Sequence, residues 1–336
     1  MMGPVAVTGA TGFLGSHVCD VLLDRGHAVR AAHRASSSLR WLKDKPLELC
    51  KTDLSDPMAA AALVQQCDGV VHCAGVIMGD DVGYHRVNVD GTRAMLEAAA
   101  ASGTVQTFVL ISSLAAGGPA DLRRPRDESM ASEPITGYGR SKLAAEELVA
   151  GQWPFRTVVL RPPSLYGPRD REFSPLLRAA ARGWTARFGS RMQGLSLVHG
   201  RDCAAAAVAL LDTTSATGIY HVDDGPGPDG PRDPGRRWQW GYDMDELRTC
   251  LTCLFGRSIN RLRIPLGLLR LMSTLAGEKG RRRSPVLHPD RLRDLNVRGW
   301  VCTAARLRAD TRWHPEHNLA SGLRSTLEFY RRRGWI

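Results

Sequence analysis

The chain has no apolar run long enough to cross a bilayer as a helix. Its longest candidate, residues 264–276, is broken by Arg270 and falls short of the ~20 residues such a span requires. Cysteine chemistry is thin as well. Of the eight cysteines only Cys250 and Cys253 stand at Cys-x-x-Cys spacing. Without a second pair or a histidine cluster they read as buried thiols of a helix, so no metal site is expected. Aromatic residues make up 6% of the chain, and none falls inside the two dense basic runs, residues 281–283 and 331–333. A nucleic-acid surface would combine clustered charge with aromatic platforms. The net charge of +11 is therefore read as solvated faces with some positive field for anionic ligands, and no nucleic-acid partner is expected. The apolar start of the chain leads into glycines rather than a cleavage site, which predicts a protein without a signal peptide, with reduced thiols and a cytoplasmic location. No internal repeat is evident.

What is present is an alternation of short β-rich runs with longer helical ones. Strands are expected at residues 5–8, 29–33, 47–52, 69–73, 107–111 and 156–161, with helices between them. That order predicts an α/β fold with a doubly wound parallel sheet. At 336 residues the chain exceeds one average domain. Beyond the sheet its character changes. Helical stretches at 174–183, 243–255 and 265–276 are interrupted by residues 224–235, rich in Gly, Pro and Asp, which must form a loop.

Two motifs carry chemistry. Residues 5–15 read Val-Ala-Val-Thr-Gly-Ala-Thr-Gly-Phe-Leu-Gly, an apolar strand running into glycines three apart and then the amphipathic stretch 13–25. A strand entering such a motif turns tightly at Gly9, lets its backbone approach a pyrophosphate near Gly12, and packs the new helix closely at Gly15. The second motif is Thr-Gly-Tyr-Gly-Arg-Ser-Lys at residues 136–142. It places Tyr138 and Lys142 on one helical face, while the strand 107–111 ends in Ser112-Ser113. One phenol and one ammonium held against the same cofactor, facing a strand-end serine, can move a hydride and a proton together. Both motifs point to a nicotinamide enzyme.

The ordered set of motifs resembles the extended short-chain dehydrogenases/reductases of the NAD-dependent epimerase/dehydratase group, which includes 3β-hydroxysteroid-dehydrogenase-like and dihydroflavonol-reductase-like enzymes. Besides the two motifs, the resemblance rests on Asp53-Leu54, on His-Cys-Ala-Gly at 72–75, and on Val-Asn-Val-Asp-Gly-Thr at 87–92. It continues through Leu-Arg-Pro-Pro-Ser-Leu-Tyr-Gly-Pro at 160–168, Leu-Val-His-Gly-Arg-Asp at 197–202, and Trp313-His-Pro before a helix at 319–333. It implies a Rossmann-type domain over residues 1–168, completed by about 200–222. A smaller, mostly helical C-terminal substrate lobe would comprise 169–199 and 223–318, followed by a C-terminal helix within 319–336 that returns to the first lobe. It further implies a dinucleotide held by Gly9, Thr11, Gly12, Phe13, Leu14, Gly15, Asp53, Leu54, Ala74, Gly75, Ser112, Tyr138, Lys142, Pro162 and Ser164.

Cofactor choice is read at the end of the second strand. His33 stands where NAD-selective relatives carry Asp, and Arg34 follows. That arginine can pair with a 2′-phosphate and stack on adenine, with Ser36, Ser37 and Ser38 as additional donors, so NADP(H) is preferred and NAD(H) stays open. A free tyrosine has a pKa near 10, so Lys142 is expected to favour its phenolate. Tyr138 would give a proton to a carbonyl or take one from an alcohol, Ser113 would hydrogen-bond the substrate oxygen, and Asn88 would fix backbone or water in the proton path. Lys142 would also hold the nicotinamide ribose.

The reaction is read from departures. Dehydratases of the group carry Asp-Glu after the catalytic hydroxyl residue, where this chain has Leu114 and Ala115, so dehydration is not expected. Nucleotide-sugar epimerases usually offer an Asn in the loop filled here by Pro163-Ser164 and an Arg-Asp where Gly194-Leu195-Ser196 stands. Arg169 and Arg171 could still meet an anionic group, so an epimerase stays open, as does a noncatalytic NAD(P)-binding sensor. The favoured expectation is an NADP(H)-dependent ketone reductase or alcohol dehydrogenase acting on a small, relatively apolar substrate, which suits the apolar stretch 264–275. No membrane span is expected, and a homodimer is left open.

Overall fold

The computed structural model describes residues 3–189, 194–225, 238–283 and 285–336. Its centre is a seven-stranded parallel sheet. In chain order the first six strands are β1 (Val5–Thr8), β2 (Val29–His33), β3 (Glu48–Lys51), β4 (Gly69–His72), β5 (Thr107–Ile111) and β6 (Arg156–Arg161). The seventh strand, Gly218–His221, pairs with β6, and across the sheet the order runs Gly218–His221, β6, β5, β4, β1, β2, β3. The central strands read as near-continuous apolar runs because both their faces are covered, and β1 and β4 are buried throughout. β3, at the edge, is mostly exposed and two residues shorter than expected. The order of strands reverses between β1 and β4, the crevice where open α/β sheets receive ligands.

One face of the sheet packs on α1 (Phe13–Asp24) and on the helix Gly200–Asp212 through Val18, Leu22, Val208 and Leu210. The other face carries Pro57–Val64, Gly91–Ser102 and Gly137–Val149 through Leu63, Met95, Leu96 and Ala145. A third core joins Ser174–Ala181 and Met244–Phe255 to the last helix, Leu319–Arg332, through Leu177, Leu247, Leu251, Leu323 and Tyr330. That last helix also sets Phe329 against Trp41, the two rings tilted with centroids 5.8 Å apart. It therefore touches both parts of the chain rather than the first alone.

Two features of the second part differ from expectation. It contains short strands, among them Trp184–Phe188 paired in parallel with Asn260–Ile264. Their alternation is too short and too charged to stand out in sequence. Of the two helical cysteines, Cys250 is half-buried and Cys253 is exposed, because Leu247 and Leu251 define the buried face of their helix. The glycine- and proline-rich loop expected at 224–235 falls mostly outside the described residues.

A buried ion pair fixes the helix Gly137–Val149 to the sheet. Glu146, 4% exposed, accepts from Arg161 of β6, 2% exposed, through Nε at 2.9 Å and 3.1 Å and again through Nη2. Ser112, at the end of β5, donates its hydroxyl to the same carboxylate, and Arg161 donates to Ser132 Oγ at 2.8 Å. Removing one member of such a pair strands a buried charge. Glu146→Ala is expected to lower unfolding free energy by about 3–5 kcal/mol, read from denaturant melts; a loss below about 1 kcal/mol would show that the pair does not anchor the helix.

Candidate active site

The glycine turn follows β1 at the sheet's switch point. Gly9 has φ 63°, and a Cβ there would lie 2.9 Å from the backbone of Cys73 and Ala74 beyond β4, so only glycine fits. A Cβ on Gly15 would meet the Gly9 carbonyl carbon at 2.7 Å, which is the close helix-to-turn packing expected. Thr8 binds the two strand ends together: its hydroxyl accepts from Ala74 N–H at 3.1 Å and meets His72 Nδ1 at 2.8 Å. Burial pushes His72 down to about 3, so the imidazole is neutral. The helix α1 begins at Gly12 with no side-chain cap. Its first amides therefore face the crevice without a side-chain partner, which is the condition for receiving an anion. Thr11 lies half-buried in this turn. Phe13 packs its ring against Gly200 and Leu14 against the core, so both would meet a ligand through backbone.

At the far end of β2, Arg34 is exposed and its N–H donates to Ser37 Oγ at 3.2 Å. Asp53 is held below the usual carboxylate range by Ser55, whose N–H and hydroxyl donate to it at 3.0 Å and 2.8 Å, with Arg34 adding to the effect. Leu54 packs partly into the core beside Gly91.

The structure brings Ser113, Tyr138, Lys142 and Asn88 to one place. Tyr138 occupies the first turn of Gly137–Val149, whose cap, Thr136, accepts from Gly139 N–H at 3.0 Å. Ser113 caps the short helix Leu114–Gly117, and its side chain lies near enough to the Tyr138 hydroxyl to favour the ionised phenol. Lys142 is buried and donates from Nζ to Ile111 O at 2.6 Å. Gly75 lies against both Asn88 and Lys142: a Cβ there would come 3.1 Å from Asn88 Oδ1 and 3.7 Å from Lys142 Nζ. Asn88 lies on a π-helical turn, His85–Asp90. Its amide clamps Val76, accepting from N–H at 2.8 Å and donating to O at 3.1 Å, and donates to Ser141 Oγ at 2.9 Å. Ser141 in turn donates to Tyr138 O at 2.7 Å. Asn88 thus fixes backbone, one of the two roles expected for it.

The electrostatics differ from the expected phenolate. Burial pushes Tyr138 up to about 12, opposed by the Ser113 side chain and reinforced by the nearby Asp294 carboxyl. Lys142 does not offset this, because its ammonium is turned to Ile111 O. Burial pulls Lys142 itself down to about 8 against the attraction of Glu146 and Cys73. At neutral pH the phenol is an acid in waiting.

Other residues marked from sequence find structural partners. Ser112 offers its hydroxyl to Glu146, and its N–H donates to Leu160 O at 2.7 Å. Pro162 O accepts from Leu114 N–H at 2.8 Å, and Ser164 opens an exposed strand end. Arg169 donates to Ser16 Oγ at 3.1 Å and Asp20 Oδ2 at 2.6 Å, and Arg171 lies 4.7 Å over the Trp335 ring, so both guanidinium groups are engaged away from Tyr138. Ser196 bonds the Cys302 backbone, donating to O at 3.3 Å and accepting from N–H at 3.0 Å. Sequence reading missed Ser141 and Asp290, which accepts from Tyr138 N–H at 3.3 Å. Ser141 had a signal, standing beside Lys142; Asp290 is 152 positions from its partner and had none. Among the described residues, His199, Asp202 and His317 are the one group of metal-ligand type whose ligand atoms approach within 4.8 Å. The two rings stack at 3.9 Å and Asp202 already pairs with His317 at 3.0 Å, so their in-plane lone pairs do not converge on one ion.

Comparison with known proteins adds three findings. The family model described as NAD dependent epimerase/dehydratase matches residues 5–222. A ceramide reductase of Caulobacter vibrioides (strain NA1000 / CB15N) is 30% identical over 337 residues, covering 99% of this chain and 96% of that protein. A 3 beta-hydroxysteroid dehydrogenase/Delta 5-->4-isomerase of Mycobacterium tuberculosis (strain CDC 1551 / Oshkosh) is 31% identical over 248 residues, or 66% of this chain and 65% of that one. Among solved structures, MoeE5 in complex with UDP-glucuronic acid and NAD superposes with a TM-score of 0.77 at 22% identity, covering 98% of this chain and 100% of that one. A UDP-glucose 4-epimerase from Thermotoga maritima gives 0.75 at 20% identity, covering 98% and 99%. At these identities the two structures establish the shared fold.

Because its value is lowered, Lys142 loses its charge as pH rises through about 8. Dinucleotide affinity, followed by fluorescence, is expected to weaken between about pH 7 and about pH 9.5 in the wild type and to be weak and flat in Lys142→Met. A flat wild-type profile over that range would contradict a charged Lys142 at the cofactor.

Proposed function

The chain belongs to the NAD dependent epimerase/dehydratase family, and from that premise we propose that it is an NADP(H)-dependent oxidoreductase that interconverts a ketone and its alcohol on an apolar, lipid-like molecule. The observation that carries this reading is the gathering of Tyr138, Lys142, Ser113 and Asn88 at the end of the fifth strand, with the Tyr138 phenol kept protonated by burial. A bound nicotinamide supplies or accepts the hydride. The crevice suits such a dinucleotide, since Gly9 leaves the space a Cβ would fill and α1 offers uncapped amides.

The chain's own residues do the rest. In the reducing direction Tyr138 delivers its proton to the carbonyl oxygen as that oxygen gains charge, while Ser113 donates a second hydrogen bond to it. Lys142 would hold the ribose hydroxyls of a bound dinucleotide. Asn88 and Ser141 keep the Tyr138 helix in register with the loop at Gly75. Residues 1–168 with about 200–222 form the dinucleotide domain, and 169–199 with 223–318 the substrate lobe. Leu114, which follows Ser113, packs with Ile135, Leu195 and Trp300, and this apolar cluster supports an apolar substrate. So do the names of the two relatives, a ceramide reductase and a hydroxysteroid dehydrogenase. The preference for NADP(H) is supported by exposed Arg34 beyond β2. A nucleotide-sugar epimerase is disfavoured because Ser196 is bound to Cys302, and Arg169 and Arg171 are engaged elsewhere.

A reductase consumes its cofactor, so NADPH absorbance is expected to fall in one-to-one proportion to an alkyl-chain ketone added. Tyr138→Phe should lose about 10²- to 10⁴-fold in kcat while still binding NADPH; retention of more than about a tenth of the rate would remove Tyr138 from the proton transfer. Arg34→Ala should weaken NADPH by about one to two decades with little effect on NADH, the size of one charge-assisted phosphate contact. An unchanged preference ratio in parallel titrations would show that Arg34 does not read the phosphate.

A further inference from the structure

Of the ten large apolar side chains that are exposed among the described residues, six belong to one region: Trp184, Leu262, Leu268, Leu271, Met272 and Leu275. Four of them stand at 268, 271, 272 and 275 in the helix Leu266–Arg283, the spacing of a single helical face. This face is not exposed by looseness of the helix. Its opposite side is pinned, with Leu269 and Ser273 buried, the Ser273 hydroxyl donating to Leu287 O at 2.7 Å, and Leu287 and Leu292 packed beneath. The orientation that presents leucines to solvent is therefore built in.

The sequence around this face is strongly basic, although Arg261 is already paired with Asp245. Between residues 257 and 283 the sequence holds Arg257, Arg261, Arg263, Arg270, Lys279, Arg281, Arg282 and Arg283 against a single acid, Glu278. The helix breaks at Gly277, φ 58° and ψ −169°, immediately before the densest part of that run. No acidic residue lies between Leu266 and Gly277. An apolar helical face followed by a basic run is complementary to the surface of an anionic bilayer, with leucines entering the acyl boundary and bases meeting lipid phosphates. A second copy of this chain fits poorly, because each copy offers the same basic sequence and no acidic residue from Leu266 to Gly277 to answer it.

We infer that this face docks the protein onto an anionic lipid surface, the helix lying in the interface plane rather than crossing it. No helix among the described residues is long and apolar enough to cross. The face connects to the candidate active site: Leu287 and Leu292 lead to the helix Pro289–Asp294, whose Asp290 accepts from Tyr138 N–H. Exposed Ile77 and Val82 lie beside Tyr84, whose ring is 6.0 Å from that of Tyr138. Docking would thus bring the catalytic tyrosine to the membrane, where an apolar substrate resides. The docking itself does not depend on the proposed reaction.

The test is co-sedimentation of the full chain with phosphatidylcholine vesicles, with and without about a third phosphatidylglycerol, in the absence of any turnover. The expected result is binding to the anionic vesicles, weakened by salt, and reduced about tenfold or more in Leu271→Glu with Leu275→Glu. That variant should keep the wild-type melting temperature and NADPH affinity, since both leucines face solvent. Replacing Arg281, Arg282 and Arg283 by Gln should lower both binding and its salt dependence. Absence of wild-type binding, or binding unaffected by the two leucine substitutions, would overturn the inference. So would a concentration-dependent dimer that those substitutions dissolve without any vesicle binding. Failure of the wild type to bind NADPH would instead count against the proposed function.

Discussion

The rotation of one helix about its axis governs the whole site, and the buried contact between Glu146 and Arg161 sets it. Glu146 is one turn beyond Lys142 and two beyond Tyr138, so a carboxylate locked to β6 and to Ser112 at the end of β5 leaves the other two side chains one direction each. Lys142 then reaches Ile111 O, and Tyr138 reaches Ser113, both at the end of β5. A buried ion pair adds little net stability once desolvation is counted, but it penalises every other arrangement of the helix. Here its effect is positional.

From the opposite side, Asn88 imposes the second constraint. By bonding Val76 and Ser141 together it holds the loop beyond β4 against the same helix, and Gly75 can approach because it has no Cβ. Tyr138 and Lys142 are thus held between two buried polar clusters, each with its hydrogen-bonding capacity met by neighbours. Their enclosure has an electrostatic consequence. Burial raises the phenol and lowers the ammonium, which favours a proton donor for a carbonyl over a resident phenolate.

Much of this was legible in the sequence because it is local. The glycine turn, the Tyr138 to Lys142 spacing, the serines after β5 and all of the first six strands follow from patterns spanning a few residues, and the doubly wound order follows from their alternation. What escaped is what depends on distant partners. Nothing near Glu146 announces Arg161, nothing near Tyr138 announces Asp290, and the engagement of Arg169 by Ser16 and Asp20 needs the fold to bring them together. Likewise, sequence places Lys142 on the face of Tyr138 but does not show that its ammonium turns to Ile111 O. The stretch 264–276 read as apolar in sequence; only the packing of Leu269 and Ser273 shows which of its leucines remain in contact with solvent.

The central claim is that hydride passes from the nicotinamide to a separate substrate carbonyl while Tyr138 supplies the proton. NADPH deuterated at the transferable position of C4, incubated with the enzyme and an alkyl-chain ketone, tests it most directly by mass analysis of the product alcohol. The account expects the deuterium to be retained on the former carbonyl carbon, one label per NADPH consumed. An unlabelled product, or isomerisation of a UDP-sugar with no label transferred and no cofactor consumed, would contradict it.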